Sequence, residues 1–400
     1  MVSVDTLVSA ASADTIVQWP SAVVAVQMTA WQKVSLPSRA RTWIVSTARH
    51  LLAGLLAGAI GLPGGASAQD GKLPVASPLP IEGQMPSLGG ADPWLNTPPL
   101  TTAGLRGKVV LVDFWTYSCI NWLRTLPYVR AWADKYRSQG LVVIGVHSPE
   151  FEFEKNLDNI RQAVKDMRVD YPVAVDSGHV VWRAFDNQYW PAIYLVDAQG
   201  RIRHHHFGEG GYERIERVIQ QLLAEAGLGA GDGKLVAPDA RGAEIAADWE
   251  QLRSPETYIG RARAERFVSR GGGPAGKPAI HAFPERFRLN DWALAGDWTR
   301  QGEFAALNAP GGRIAYRFHA RDLHLVMGPA TRGTAVRFRV LVDGQPPRSD
   351  HGIDVDEQGM GTVTAQRLYQ LVRQKGPIVE RQFEIEFLDP GVEAFVFTFG

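Results

Sequence analysis

Two hydrophobic patterns divide the chain. In the first, apolar runs such as "KVVLVDFW" and "LVVIGVHS" alternate with segments such as "LRTLPYVRAWADKYRSQG", whose apolar residues recur with helical spacing. Such runs predict buried strands, and such segments predict amphipathic helices. Continued to the final helix "GYERIERVIQQLLAEAG", the pattern predicts the order β-α-β-α-β-α-β-β-α over about residues 75–226. We therefore expect an α/β domain there.

The second pattern covers residues 279–400 and consists of short segments of alternating character. In "FEIEF", Phe383, Ile385 and Phe387 share one face and the two glutamates share the other. Several such segments, separated by turns such as Asp343-Gly344, predict an all-β sandwich of jelly-roll type. Residues 227–278 begin and end with Gly-rich stretches, and we expect them to form a structured connecting segment.

The N-terminal part carries a targeting signal. Basic residues precede an apolar run from Leu51 to Leu62, which leads into Ala66-Ser67-Ala68. This pattern predicts a signal peptide region over residues 1–68, cleaved after Ala68, with Met28 as a more usual start. The run is shorter than the roughly 20 residues that span a bilayer, and an uncleaved anchor is the alternative. Residues 69–100 predict a linker and an irregular lead into the α/β domain. We expect a periplasmic or secreted protein.

Charge and cysteine content narrow the function. Lysine plus arginine (42) balance aspartate plus glutamate (42), so there is no basic excess to bind phosphate backbones, and nucleic acid is not an expected partner. Cys119 is the only cysteine in 400 residues, so an internal disulfide cannot form even in an oxidising compartment. The thiol is therefore inert, reactive or paired with another molecule.

Cys119 stands in "DFWTYSCINW", where a predicted strand runs into a predicted helix. The first turn of a helix presents free N–H groups and the positive end of the helix dipole, which lower the pKa of a thiol from about 8.5. Position therefore makes Cys119 a candidate nucleophile. The alternative is a small buried hydrophobic residue, which is the common state of a lone cysteine.

The segment "VDFWTYSCINW" resembles the active-site motif of thioredoxins, in which a buried aspartate precedes Phe-Trp and the reactive pair is C-x-x-C. Asp113, Trp115 and Cys119 match this motif, whereas Trp122 stands where the second cysteine belongs. "YWPAIYLVD" supplies Pro191 in the place of the thioredoxin cis-proline. The longer run through "GVHSPEFEFEK" and "HHFGEGGYERIE" resembles the exported portion of the DipZ family, which continues into a carbohydrate-binding-module-like domain.

The resemblance implies a thioredoxin-like fold and a thiol-disulfide oxidoreductase of the redoxin class that needs no cofactor. It implies that Cys119 attacks substrate disulfides, that Asp113 assists proton transfer and that Pro191 shapes the substrate groove. Further groove residues that it implies are Trp115, Tyr117 and Trp190. No segment resembles the membrane electron-relay domain of the family. We therefore expect a separately encoded relay protein as a partner, beside protein or small-molecule thiols and disulfides.

Four functions are compatible with a lone Cys119. The first is monothiol exchange, in which an external thiol completes the cycle. The second is a one-cysteine peroxidase, since "TYSC" offers the T-x-x-C part of a peroxiredoxin motif, although Val112 replaces the proline of that motif. The third is capture of a partner in a stable mixed disulfide. In the fourth, the α/β domain is an inert scaffold and the sandwich binds glycan or protein. Trp292 and Trp298 would then form an aromatic platform, and the alternative is that they pack in the core of the sandwich.

We expect no metal site. His204 and His206 share one face of a predicted strand, with His205 on the other face and no third ligand nearby. The acidic loop "SDHGIDVDEQG" lacks the ligand spacing of a known calcium loop.

Overall fold

Two sheets, one of seven strands and one of twelve, organise the described part of the chain. The computed structural model describes residues 78–229 and 232–400, which all lie in the same unit, Lys72–Gly400. The predicted signal peptide, its cleavage after Ala68 and the alternative start at Met28 lie outside the described residues. Within residues 78–229 and 232–400, no helix combines the length and the apolar character that crossing a bilayer requires.

The seven-stranded sheet has a mixed arrangement of strands. Its strands are β1 (Gly83–Gln84), β2 (Trp94–Leu95), β3 (Val109–Trp115), β4 (Leu141–His147), β5 (Val173–Val175), β6 (Ala192–Val196) and β7 (Arg201–Phe207). Their order across the sheet is β1-β7-β6-β3-β4-β5-β2. β3, β4 and β5 run parallel, and the other neighbours are antiparallel. β3 lies at the centre, and every residue in it is buried, as expected for an apolar run covered on both faces.

Helices cover both faces of this sheet. The α-helices are α1 (Ile120–Tyr136), α2 (Leu157–Asp166), α3 (Val180–Ala184) and α4 (Tyr212–Glu225), and short 3₁₀ helices lie at Arg137–Gln139, Glu152–Lys155, Gly242–Glu244 and Arg348–Asp350. Alternate residues of β3 contribute to two cores, one shared with α1, α2 and α4 and the other shared with α3. The elements from β3 to α4 follow the predicted order β-α-β-α-β-α-β-β-α.

The twelve-stranded sheet is antiparallel throughout. Its strands are β8 (Thr257–Tyr258), β9 (Arg270–Gly271), β10 (Pro278–Ala282), β11 (Trp292–Arg300), β12 (Ala305–Leu307), β13 (Gly312–Phe318), β14 (Asp322–Pro329), β15 (Val336–Val342), β16 (Met360–Val363), β17 (Arg367–Arg373), β18 (Arg381–Phe387) and β19 (Val392–Phe399). The main order is β16-β15-β18-β13-β11-β12-β19-β14-β17. β10 pairs with β11 and β9, and β8 pairs with β19.

β11 joins the two halves of a sandwich. Residues 292–295 pair with β13, whereas residues 298–300 pair with β12. At Gly296, between these stretches, φ is +98°, a backbone conformation that glycine adopts readily and that turns the strand from one half into the other. Phe383 of one half lies 5.9 Å from Phe397 of the other, measured between ring centroids. The halves therefore face each other across an apolar core.

The sandwich packs directly on the α/β part. Phe151 and Phe153, from the loop after β4, lie 5.3 and 4.6 Å from Phe395 of β19, measured between ring centroids. Arg124 of α1 is 2% exposed and donates to the carbonyl oxygen of Phe399 at 3.0 Å. Residues of both parts belong to one continuous apolar core.

The predicted fold class, an α/β domain followed by an antiparallel sandwich, is confirmed, but the sequence pattern missed short strands. β8 pairs with β19, although residues 257–258 belong to the segment 227–278 that we expected to be a connection. The segment "GTVTAQRLYQLV" forms two strands, β16 and β17, which pair with β15 and β14 in different halves of the sandwich. Strands of two to four residues are too short for alternation to reveal them.

Candidate active site around Cys119

Cys119 lies at the junction of the central strand and the first helix. β3 ends at Trp115, the N–H of Cys119 donates to the carbonyl of Thr116 at 3.2 Å, and α1 begins at the next residue. The side chain is half-buried, and its sulfur lies 3.9 Å from the carbonyl oxygen of Trp190. A cis peptide bond joins Trp190 to Pro191, which is buried. The structure thus brings Cys119 and Pro191 to one place.

The surroundings of the thiol do not lower its pKa. Burial raises the pKa of Cys119 well above its ordinary value, and the negative charges of Glu256 and Glu150 raise it further. The backbone N–H groups of Trp122 and Asn121 act in the opposite direction but are outweighed. The prediction of a lowered pKa was therefore wrong, because it considered only the helix N-terminus and left out burial and the distant carboxylates.

Trp122 fills the position of the second cysteine of the motif. Its side chain is fully buried, and its indole N–H donates to Oδ2 of Asp113 at 2.9 Å. The indole stacks on Trp115, with 4.1 Å between ring centroids. Oδ1 of Asp113 has no hydrogen-bond partner among the described residues. Burial raises the pKa of Asp113 to about 7, although the hydrogen bond from Trp122 lowers it.

Two of the predicted groove residues belong to the core. Trp115 and Tyr117 are 0% and 2% exposed, so neither can line a groove, contrary to the prediction. Tyr117 instead stacks on His147, 5.6 Å between ring centroids, and donates to the carbonyl of Phe153 at 3.4 Å. Both side chains belong to the apolar core against which Cys119 packs.

Trp190 is the predicted groove residue that remains accessible. It is half-buried, and its indole N–H donates to the carbonyl of Ser148 at 2.9 Å. Half-buried Trp182 lies beside it, with 4.3 Å between ring centroids. Sequence reasoning missed Trp182, although it occurs in the same segment "WRAFDNQYWP". These two rings form an aromatic wall next to the carbonyl that contacts Cys119.

A buried carboxylate accepts a hydrogen bond from the residue that precedes the thiol. Oε1 of Glu154 accepts from the hydroxyl of Ser118 at 2.6 Å, and Ser118 directly precedes Cys119. Burial raises the pKa of Glu154 to about 7, against the lowering by hydrogen bonds from Ser118 and Thr116. The motif "GVHSPEFEFEK" contained Glu154, but nothing in its spacing indicated the contact.

A polar cluster links the sandwich to the loop after β4. The hydroxyl of Tyr258 donates to Oε1 of Glu150 at 2.7 Å, with Oε2 of Glu256 3.1 Å away. Arg263 pairs with the same oxygen of Glu150 at 2.8 Å. The negative charges of Glu150 and Glu256 in this cluster add to the raised pKa of Cys119.

The tryptophans predicted as a ligand platform are core residues. Trp292 and Trp298 are both fully buried in β11. Their indole N–H groups donate to the carbonyls of Glu265, at 2.7 Å, and Ala295, at 2.9 Å. Neither ring can present a face to a sugar, so this prediction was wrong.

The three consecutive histidines follow the alternation of β7. His204 and His206 are half-buried, whereas His205 is exposed, with Nδ1 2.7 Å from Oε2 of Glu82. Across residues 78–229 and 232–400, no group of three or more His, Cys, Asp or Glu side chains is placed to hold a metal ion.

A buried aspartate on the central strand, a thiol at the start of the following helix and a cis-proline beside it define a protein of the thioredoxin-like class. Residues 90–205 match the AhpC/TSA family, and residues 254–400 match a family described as a thioredoxin like C-terminal domain. Over 141 residues, the chain is 34% identical to the thiol-disulfide oxidoreductase YkuV of Bacillus subtilis. The matched stretch covers 35% of this chain and 95% of YkuV. The chain belongs to the thioredoxin-like redoxin family, of which YkuV is a member.

The resemblance to DipZ is also confirmed. Over 276 residues, which are 68% of this chain, the chain is 39% identical to Protein DipZ of Mycobacterium bovis. That stretch covers 38% of the length of DipZ, so this chain corresponds to little more than a third of that protein.

Proposed function

We propose that this protein is an exported thiol-disulfide oxidoreductase that acts through Cys119 alone and depends on an external thiol to complete each cycle. Trp122 carries the proposal, because it occupies the position of the second cysteine, is fully buried and donates to Asp113. Cys119 is the only cysteine in 400 residues, so no internal thiol can resolve a mixed disulfide.

The exchange consists of two displacements at sulfur. The Cys119 thiolate attacks one sulfur of a substrate disulfide and forms a mixed disulfide with it. The other substrate sulfur leaves as a thiolate and takes up the proton that Cys119 gave up. An external thiolate then attacks the substrate sulfur of the mixed disulfide and releases Cys119, which takes up the proton of that external thiol. The net reaction replaces one partner of a disulfide by another and needs no cofactor.

The raised pKa of Cys119 favours a long-lived intermediate. Little thiolate is present at neutral pH, so the first attack is slow, although the thiolate itself is a strong nucleophile. A thiol of raised pKa is also a poor leaving group, so the mixed disulfide breaks slowly. Monothiol exchange and capture are therefore two limits of one mechanism, and the supply of external thiol decides between them.

Protein or small-molecule thiols and disulfides are the proposed partners, in line with the similarity to a thiol-disulfide oxidoreductase. Trp182 and Trp190 flank the carbonyl next to the sulfur and offer apolar contacts to the substrate. We propose export by the signal peptide that ends at Ala68, and a separately encoded membrane relay as a source of external thiol. The proposed domains are residues 75–226 and 279–400, with residues 227–278 between them.

The match to the AhpC/TSA family favours a second candidate function, the one-cysteine peroxidase. Against it, Val112 stands in the middle of β3 at the position of the peroxiredoxin proline and is paired with both β4 and β6. Proline is excluded from the middle of a sheet, since it cannot donate to the ladder. The backbone around Val112 therefore departs from that motif, and we rank disulfide exchange first.

Intact-mass spectrometry tests the proposal. The folded protein is incubated with excess hydroxyethyl disulfide and then with an external thiol. We expect one adduct on the wild-type chain, stable until the external thiol is added, and none on Cys119→Ser. Failure of the folded wild-type protein to form the adduct, together with full reaction after unfolding, would overturn the proposal. Faster reaction with hydrogen peroxide than with the disulfide would support the peroxidase instead.

A further inference from the structure

Glu154 is a buried carboxylate that the exchange reaction does not use. It is 0% exposed and lies in the 3₁₀ helix Glu152–Lys155. No lysine, arginine or histidine in the described part of the chain forms an ion pair with it, and the interactions that set its pKa include no cation. The charged form is therefore costly to bury, and its hydrogen bonds offset only part of that cost, since the pKa of Glu154 still rises to about 7.

Those hydrogen bonds join two loops. Oε1 of Glu154 accepts from the hydroxyl of Ser118 at 2.6 Å. Oε2 accepts from the backbone N–H groups of Glu150, at 2.6 Å, and Phe151, at 3.0 Å. Glu154 therefore connects residues 116–119, which we call the thiol loop, to the loop after β4.

The backbone of the thiol loop determines where the sulfur points. The N–H of Cys119 donates to the carbonyl of Thr116 at 3.2 Å, and its side chain makes no capping hydrogen bond to α1. The sulfur lies 3.9 Å from the carbonyl oxygen of Trp190. Because Ser118 directly precedes Cys119, a shift of Ser118 moves the sulfur relative to the substrate position.

The sandwich holds the segment that carries Glu154. Phe153, the preceding residue, lies 4.6 Å from Phe395 of β19, and Phe151 lies 5.3 Å from the same ring. Docking of β19 therefore fixes the loop that presents the carboxylate to the thiol loop.

We propose that Glu154 is a positioning residue for Cys119. Glu154 holds the thiol loop through Ser118, while the sandwich holds Glu154 through the adjacent phenylalanines. The inference rests on the proposed function, because it assigns how the sulfur is presented for exchange. It gives the sandwich a role at the thiol site that requires no ligand of its own.

The test compares two substitutions of Glu154 with a matched control. Glu154→Ala removes both sets of hydrogen bonds. Glu154→Gln keeps one oxygen for the backbone N–H groups, and its amide can donate to Ser118, whose hydroxyl then accepts. The control is Glu216→Ala, which removes another buried carboxylate that accepts hydrogen bonds from Tyr136 at 2.6 Å and Val236 at 2.8 Å but none from the thiol loop.

Adduct formation with hydroxyethyl disulfide and the pH midpoint of alkylation by iodoacetamide are measured on each full-length variant. We expect Glu154→Ala to slow adduct formation by about tenfold or more and to shift the midpoint, because small displacements of reacting groups cost large factors in rate. Glu154→Gln should stay within about threefold of the wild-type rate, since it can satisfy the same groups. Glu216→Ala should keep the wild-type rate and midpoint even where its melting temperature falls.

A wild-type rate and midpoint in folded Glu154→Ala would overturn the inference, and so would an equal loss of rate in Glu216→Ala. If Glu154→Ala does not fold, Ser118→Ala decides, because it removes only the 2.6 Å contact. A slower Ser118→Ala supports the inference, and an unchanged one overturns it. Failure of the proposed function gives a different result, since the wild-type protein would then form no adduct.

Discussion

Trp122→Cys should convert the site into one that resolves its own mixed disulfides. Residue 122 is the third residue of α1, and its backbone N–H lowers the pKa of the Cys119 thiol. A thiol at position 122 therefore lies within reach of Cys119. An internal thiol attacks at a high effective concentration and needs no external partner for the resolving step. We therefore expect faster catalysed reduction of a disulfide by dithiothreitol.

The same substitution should weaken the fold. Trp122 is fully buried and stacks on Trp115 at 4.1 Å, and replacement of a buried tryptophan by a small residue costs about 3–5 kcal/mol. Asp113 also loses its 2.9 Å donor, which adds about 1–3 kcal/mol when the carboxylate is charged. Such a loss is a large part of the stability of an ordinary domain, so the assay is run at low temperature.

Trp122→Ser is the matched control, since it leaves the same cavity and the same unpaired carboxylate but carries no thiol. Initial rates of insulin reduction by dithiothreitol are compared for wild type, Trp122→Cys and Trp122→Ser. We expect Trp122→Cys to exceed Trp122→Ser by about tenfold or more, in proportion to the effective concentration of the new thiol. Equal rates in the two variants would refute the view that the site lacks only its resolving group.

Two further predictions concern charge. The pKa of Asp113 rises from 3.8 to about 7 on folding, so the stability that this group gives below pH 3.8 is lost as the pH rises from there to about 7, by about 4 kcal/mol in all and about 3 kcal/mol above pH 5. Asp113→Asn should shrink the difference between urea unfolding at pH 5 and at pH 8, and an unchanged difference contradicts this. Glu256→Gln removes one charge that raises the pKa of Cys119, and because burial raises the pKa of Glu256 itself to about 7, the test is made at pH 8, where iodoacetamide should alkylate Cys119 a few-fold faster. An equal or slower rate argues against that charge effect.

The motif residues could be placed from the sequence because their arrangement is local. A strand that ends next to a helix start fixes Asp113 and Cys119, and the segment before the hairpin supplies Pro191. The sequence could not predict Glu154 or Tyr258. Their hydrogen bonds join residues 36 and 108 positions apart, and the second depends on how the two sheets dock.

The wrong predictions share a physical cause. The residues concerned are buried by parts of the chain that are remote in sequence, which a local pattern does not reveal. Trp292 and Trp298 occur in β11, which is shared by both halves of the sandwich and is therefore covered by each. The pKa of Cys119 was predicted from the helix start alone, whereas burial and the charges of Glu256 and Glu150 decide its direction.

The decay rate of the Cys119 mixed disulfide, followed by intact mass at several concentrations of external thiol, is the direct test of exchange through a single cysteine. We expect a decay rate proportional to that concentration and an extrapolated rate of zero without external thiol, because the chain has no second cysteine. A decay rate that does not depend on the external thiol would contradict this expectation.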